Sequence, residues 1–317
     1  MNKKIKKEPG LSRTLVVPNN IISRIDSRSS CSTQVKIGST TFDLPVLLSP
    51  MPFFGERAIR TVNNRFLTFI PRIKSDDRDY SSMKERTVLA KTLHNESFTV
   101  GVSVGLKDDI EDIINLTKYT EYLLIDTASG YNYKLHELIE EVRSRVSPDT
   151  IIISGNVISK EAKDNLLSLG CNFVRVGIGT SPNCSTSEAT CIGRPVLGTL
   201  LSCELPGAIA DGGIKSPHDL SLALLFSELA MCSSVFKYTQ LNSLWNENKS
   251  TVPAYGCASS LAKGTSEYVE GVVTHGEKED FESTYKKLKQ GLQSSMSYLG
   301  ARNMSEYRLS DFSLVHE

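Results

Sequence analysis

Short apolar runs recur along the chain at residues 45–49, 66–70, 98–102, 122–125, 151–154, 173–176, 208–210 and 229–232. Between them lie longer stretches in which apolar residues return every three or four positions, most clearly at 134–146 and 160–169. The first pattern is that of a strand covered on both faces, the second that of a helix laying one side on a sheet. Strand and helix in alternation predict an α/β protein with a parallel sheet, and eight such units favour closure into a (β/α)8 TIM barrel over an open doubly wound sheet. The stretch 198–207, cut by Pro206, is too short for a full covering helix, so the sixth crossover is expected to be shortened. No low-complexity linker or repeat period divides the sequence. The expectation is a single barrel domain over residues 1–317, with residues 1–20 a loosely ordered N-terminal arm.

The residues just after each run are as regular as the runs themselves. Asp126 ends the fourth, Gly155-Asn156 the fifth, Gly177-Ile178-Gly179 the sixth, Asp211-Gly212-Gly213 the seventh and Ser233-Ser234 the eighth. In a barrel these positions all open onto the C-terminal face of the strands, where such folds build their sites. Any one of them is also ordinary turn chemistry. Five together predict a shared mouth of polar groups.

With 39% hydrophobic residues in 317, the chain has material for one large core. Lys plus Arg equals Asp plus Glu at 36 each, which gives no net field for a polyanion and argues against nucleic acid or a membrane surface as partner. Lys3, Lys4, Lys6 and Lys7 are not followed by an apolar stretch of signal-peptide type, so a soluble, cytoplasmic protein is expected. Seven cysteines occur without a C-x-x-C pair or histidines at zinc-like spacing, which predicts reduced thiols, six of them small buried hydrophobes. Cys184 differs. It sits in Gly177-Ile178-Gly179-Thr180-Ser181-Pro182-Asn183-Cys184-Ser185-Thr186-Ser187, a loop of glycines and hydroxyls directly after an apolar run, where a thiolate is open to act as nucleophile.

That loop resembles the active-site loop of the GMP reductase and IMP dehydrogenase family, Gly-Pro-Gly-Ser-(Val or Ile)-Cys-Thr-Thr-Arg. Asp126-Thr127-Ala128-Ser129-Gly130-Tyr131 is similar to the reductase's Asp-Val-Ala-Asn-Gly-Tyr, and Gly155-Asn156-Val157 and Ala210-Asp211-Gly212-Gly213-Ile214 are shared outright. Tyr255-Gly256-Cys257-Ala258-Ser259 resembles Tyr-Gly-Met-Ser-Ser, and Ser294-Ser295-Met296-Ser297-Tyr298-Leu299-Gly300-Ala301 resembles Ser-Thr-Cys-Thr-Tyr-Val-Gly-Ala. The motifs keep family order from about residue 20 to 305.

The resemblance implies roles. Cys184 attacks purine C2, and Thr186 and Glu267 handle protons at the leaving group, although Glu267 is equally an ordinary solvated carboxylate. Asp211 binds the ribose, Gly212, Gly213, Ser233 and Ser234 lie near the phosphate, and Gly256, Cys257 and Ala258 near the base. Asp126, Thr127, Ala128, Ile178, Gly179 and Arg72 serve a nicotinamide dinucleotide, NADPH by preference with NADH or NAD open. Ser294, Ser295, Met296, Ser297 and Tyr298, with Ser23 and Arg24, reach its adenosine end across a subunit boundary of a homotetramer. A monovalent cation such as K+ rests on the carbonyls of Gly179, Ser181 and Cys184.

Two features separate the branches of the family. The chain has no room for the paired regulatory module usual in the dehydrogenase, and between Ser259 and Glu267 it lacks the Arg-Tyr pair with which the dehydrogenase flap activates water. Both favour reductive deamination of GMP, or of a modified or deoxy analogue, over oxidation of IMP. Against either activity stand departures from the pattern: Arg72 for a lysine, Ser187 and Gly264 for arginines, and Ser233-Ser234 for Gly-Gly. A nucleotide-binding homologue without turnover is the third reading.

Overall fold

The computed structural model describes residues 8–19, 22–72, 82–179, 186–257, 259 and 271–316. Eight parallel strands form one sheet: β1 (Val46–Leu48), β2 (Phe69–Ile70), β3 (Gly101–Val104), β4 (Tyr122–Ile125), β5 (Ile151–Val157), β6 (Phe173–Val176), β7 (Ala208–Asp211) and β8 (Leu229–Cys232). Neighbours follow chain order from β2 to β8, and β8 then pairs with β1. The remaining gap is bridged by Leu47 and Leu67, with the Leu48 amide donating to the Leu67 carbonyl at 2.8 Å. The sheet is thus a nearly closed (β/α)8 barrel, and all eight apolar runs supply its strands.

The parity of each strand sorts side chains into two cores. Leu47, Phe69, Leu124, Ile153, Ile209, Leu229 and Met231 meet inside the barrel, joined by Ile37 and Phe42 from a hairpin of Val35–Ile37 with Thr40–Phe42. Their neighbours Val46, Leu48, Ile70, Leu123, Ile125, Ile152, Val174, Val176 and Ala210 point outward into a larger core under the helices. The covering helices are α1 (Glu56–Val62), α2 (Met83–Asn95), α3 (Ile110–Leu116), α4 (Tyr133–Arg145), α5 (Lys160–Ser168), α6 (Val196–Cys203), α7 (Pro217–Leu225) and α8 (Phe281–Tyr298). Most begin at a side chain that accepts from the first free amides: Ser82, Asp109, Asn132, Ser159, Ser216 and Asp280, with a full capping box at Ser82 and Glu85.

The short sixth crossover still holds a helix, because α6 starts upstream of Gly198. It stops after eight residues, where Glu204 turns to positive φ. The buried Lys163 ammonium of α5 donates to the Glu204 and Pro206 carbonyls there, each at 3.0 Å. A cation at the helix C-terminus satisfies carbonyls that have no partner within the helix.

The N-terminal arm is better fixed than its composition suggests. Residues 1–7 lie outside the described residues, but Thr14–Pro18 pairs antiparallel with Phe312–His316, so this part of residues 1–20 is a paired strand and not a loose arm. The predicted run 98–102 also begins late, at Gly101, because Ser97 at φ 66° and the Phe98 amide, bonded to the Leu93 carbonyl, still belong to the turn leaving α2. Among the described residues no helix is long and apolar enough to cross a membrane.

Candidate active site at the barrel mouth

Strand parity decides which polar groups face the barrel axis. Leu124 and Ile209 point inward, so Asp126 and Asp211, two residues on, do as well; Arg175, between the outward Val174 and Val176, joins them. The Arg175 guanidinium lies between the two carboxylates. Its Nη1 donates to Asp126 Oδ1 at 2.5 Å and its Nε to Asp211 Oδ2 at 2.8 Å. Only 11% of the Arg175 side chain is exposed, against 20% for Asp126 and 12% for Asp211. The cluster is therefore mostly withdrawn from water, with Asp126 its most open member.

Each carboxylate has a second anchor. Arg72 Nη2 donates to the Asp126 carbonyl at 2.9 Å and lies 3.3 Å from its Oδ2. Asn156 Nδ2 donates to Asp211 Oδ2 at 2.6 Å and to the Gly177 carbonyl at 2.8 Å. Burial alone would push the Asp126 pKa up, but the Arg175 and Arg72 guanidiniums outweigh it and hold the carboxyl below its usual range. Arg175, for its part, is held firmly protonated by the two carboxylates against its own burial.

Glycines make this packing possible. At Gly177, with φ 138°, a Cβ would stand 2.2 Å from the Asp211 carbonyl oxygen. At Gly105 it would meet the Arg72 guanidinium at 2.5 Å. Side chains at either position would displace the groups that hold the two carboxylates.

Other expected residues surround this cluster. Gly212 and Gly213, both at positive φ, follow Asp211, and the half-buried Ser233 and Ser234 follow β8, the neighbouring strand, so these four share one side of the mouth. Ile178 and Gly179 follow β6, Thr127 donates from the end of β4 to the Gly155 carbonyl at 2.8 Å, and Ala128 beside it is exposed. The half-buried Cys257 lies close enough to Asp126 to feel its charge. Burial, with help from the Asp126 charge, pushes its thiol up to about 12, which favours the neutral thiol at the mouth. Thr186 opens a five-residue helix, Thr186–Thr190, and its carbonyl accepts from Thr190 Oγ1 at 2.6 Å. Ser181, Cys184, Ala258 and Glu267 lie outside the described residues.

A second group assembles elsewhere. Ser23 Oγ donates to the Ser297 carbonyl at 2.6 Å, and Arg28 Nη1 donates to Ser294 Oγ at 3.3 Å. The two segments expected at the adenosine end of a dinucleotide thus meet each other, with Arg24 and Tyr298 exposed beside them. Met296 requires correction. It is fully buried, on the same helical face as Leu288 and Leu292, so its side chain fills core and does not face a ligand. The Ser295 hydroxyl is likewise turned inward onto the Tyr307 hydroxyl at 2.7 Å.

Arg175 is the functional candidate that the sequence pattern alone does not single out. The signal is present, since a cation in the middle of Phe173-Val174-Arg175-Val176 breaks an apolar strand. Taken as one apolar run, the segment hides the inward face that strand parity gives this side chain. As for ions, among the described residues no three His, Cys, Asp or Glu side chains are grouped to hold a metal. The expected cation site depends on backbone carbonyls, of which Gly179 is described; Ser187 Oγ approaches that carbonyl at 3.3 Å.

Known proteins are similar to this chain over almost its full length. The family model described as IMP dehydrogenase / GMP reductase domain matches residues 12–315. A GMP reductase of Latilactobacillus sakei is 31% identical over 316 residues, 95% of this chain and 94% of that protein. GMP reductases of Streptococcus agalactiae and Mesoplasma florum are 31% and 28% identical, each over 95% of this chain and over 93% and 95% of their own lengths.

Proposed function

The chain belongs to the IMP dehydrogenase / GMP reductase family, and from that premise we propose that it carries out NADPH-dependent reductive deamination of a purine nucleotide, GMP to IMP or a modified or deoxy analogue, through a covalent Cys184 intermediate. At the level of the family it is a GMP reductase-like oxidoreductase that acts on a purine nucleotide with a nicotinamide cofactor. The observation that carries the finer reading is the pair of inward carboxylates, Asp126 and Asp211, held 2.5 and 2.8 Å from one guanidinium at the mouth of a nearly closed parallel barrel. Carboxylates anchored from behind suit the hydroxyl pairs of two riboses, one on each side of the mouth.

The residues fit such ligands. Asp211 accepts from the nucleotide ribose, and the amides of Gly212, Gly213, Ser233 and Ser234 lie on the side of the mouth suited to its phosphate. Asp126 and Arg72, with Thr127, Ala128, Ile178 and Gly179, hold the cofactor, which when bound supplies the hydride that reduces C2 and is itself oxidised. Addition of the Cys184 sulfur to C2 forms the C–S bond while the C2 amino group leaves as ammonia, taking a proton delivered by Thr186 and Glu267. After reduction at C2 the C–S bond breaks, and its electron pair returns to sulfur. A cation on the carbonyls of Gly179, Ser181 and Cys184, and a homotetramer in which Ser23, Arg24, Ser294, Ser297 and Tyr298 complete a neighbour's cofactor site, belong to the same reading.

The test is direct. Purified protein mixed with GMP and NADPH loses the reduced-nicotinamide absorbance and releases ammonia in equal amounts, and Cys184→Ala stops both. Reduction of NAD by IMP would overturn the direction of the reaction. Nucleotide binding with no absorbance change across a purine nucleotide panel would replace the enzyme with a binder.

A further inference from the structure

The geometry points to Arg175 as the residue that couples the two ligand positions, a positioning residue shared between Asp126 on the cofactor side and Asp211 on the nucleotide side. The inference rests on the assignment of those carboxylates to two riboses. Each carboxylate has a further anchor of its own, Arg72 or Asn156, whereas Arg175 reaches both. A guanidinium is planar and rigid, and its two hydrogen-bonding edges have a fixed relation. With Nη1 on Asp126 and Nε on Asp211, a change in the orientation of one carboxylate is passed to the other.

The consequence is thermodynamic. A ribose that draws Asp211 into place orders the shared guanidinium, and the cofactor then meets Asp126 already set. Less ordering remains for the second ligand, so its binding tightens, and by linkage the factor is the same whichever ligand binds first. A lysine at 175 keeps the charge that two mostly buried carboxylates require, but its compact ammonium cannot fix the directions of both. Coupling that came from charge alone would survive that exchange.

The experiment measures the affinity of the full-length protein for GMP with and without saturating NADP+, and for NADP+ with and without saturating GMP, a pair in which no hydride is available. In the unaltered protein each ligand tightens the other by the same factor, about fivefold or more. In Arg175→Lys, with a single cooperative unfolding transition as the check that it is folded, both ligands still bind and the factor falls toward one. A wild-type factor retained in Arg175→Lys, or no coupling in the unaltered protein, overturns the proposal. Asp126→Asn is the second variant, with Arg175 left in place: through the shared guanidinium it shifts the affinity for GMP alone severalfold, and an unchanged GMP affinity sinks the idea. Failure of the unaltered protein to bind either ligand would instead remove the functional reading on which the coupling rests.

Discussion

Glu8 closes a two-pronged ion pair on Arg194, with Nε to Oε2 at 2.6 Å and Nη2 to Oε1 at 2.8 Å. The same guanidinium donates to the Ile158 carbonyl at 3.1 Å and to Ser202 Oγ at 2.8 Å, and the Arg194 backbone forms a bridge to Ile178. The segment around Glu8 is thereby tied to the crossover that leaves β6 and to the mouth itself.

Removing this tie with Glu8→Ala costs about 1.5 kcal/mol, the low end for hydrogen bonds to charged groups, because a fifth to a quarter of each side chain is open to solvent. The urea midpoint falls with an unchanged slope, and kcat/KM falls with it. The exposed pair Arg60 and Glu96 provides the control, and Glu96→Ala shifts the midpoint far less. Equal shifts in the two variants would mean that Glu8 is an ordinary surface charge.

Gly177→Ala tests the packing behind Asp211. The added methyl would lie 2.2 Å from the Asp211 carbonyl oxygen, at a φ of 138° that L side chains rarely adopt. Backbone strain of about 1–3 kcal/mol is the minimum expected, and relief by moving Asp211 weakens nucleotide binding at the same time. Gly55→Ala, where nothing lies within 4 Å, leaves both stability and activity unchanged. A Gly177→Ala protein with wild-type melting and KM would show that the close approach is not needed.

Which features are legible in the sequence depends on which interactions are local. The eight strands are readable because each is a continuous apolar run, and Asp126 and Asp211 because each ends such a run where a parallel barrel opens its mouth. Arg175 is not, since its meaning comes from two carboxylates 49 and 36 positions away in sequence. Thr14–Pro18 escapes for a similar reason: its partner Phe312–His316 lies at the other end of the chain. Met296 is misplaced by a motif match, which reports sequence order and says nothing of the helical face, whereas spacing to Leu288 and Leu292 assigns it to the core.

The lowered pKa of Asp126 sets a pH dependence with a definite sign. Its folded value lies below the unfolded value of about 3.9, so its contribution to stability is fully present above that pH and is lost as pH falls through the folded pKa. Asp126→Asn carries no such charge. Urea midpoints measured from neutral pH downward should therefore converge between wild type and Asp126→Asn as pH drops below about 4. A gap that stays constant across that window would show that the two guanidiniums do not stabilise the ionised form.

The Asn156 amide discriminates between holding a carboxylate and holding a ligand. Its Nδ2 reaches Asp211 Oδ2 at 2.6 Å from behind, while Asp211 itself is the group assigned to the ribose. Asp211→Asn removes the negative charge and replaces one of the two acceptor oxygens with a donor, and should raise KM for the nucleotide by roughly 10- to 100-fold, the equivalent of about one charge-assisted hydrogen bond. Asn156→Ala leaves the acceptor in place but frees one side of it, so the expected rise is smaller, and kcat falls more than KM rises because the ribose is bound but less well aimed. Steady-state kinetics in both substrates separates the two. If Asn156→Ala raised the nucleotide KM as much as Asp211→Asn with kcat unchanged, Asn156 would be a direct ligand contact and the layered arrangement behind Asp211 would be wrong.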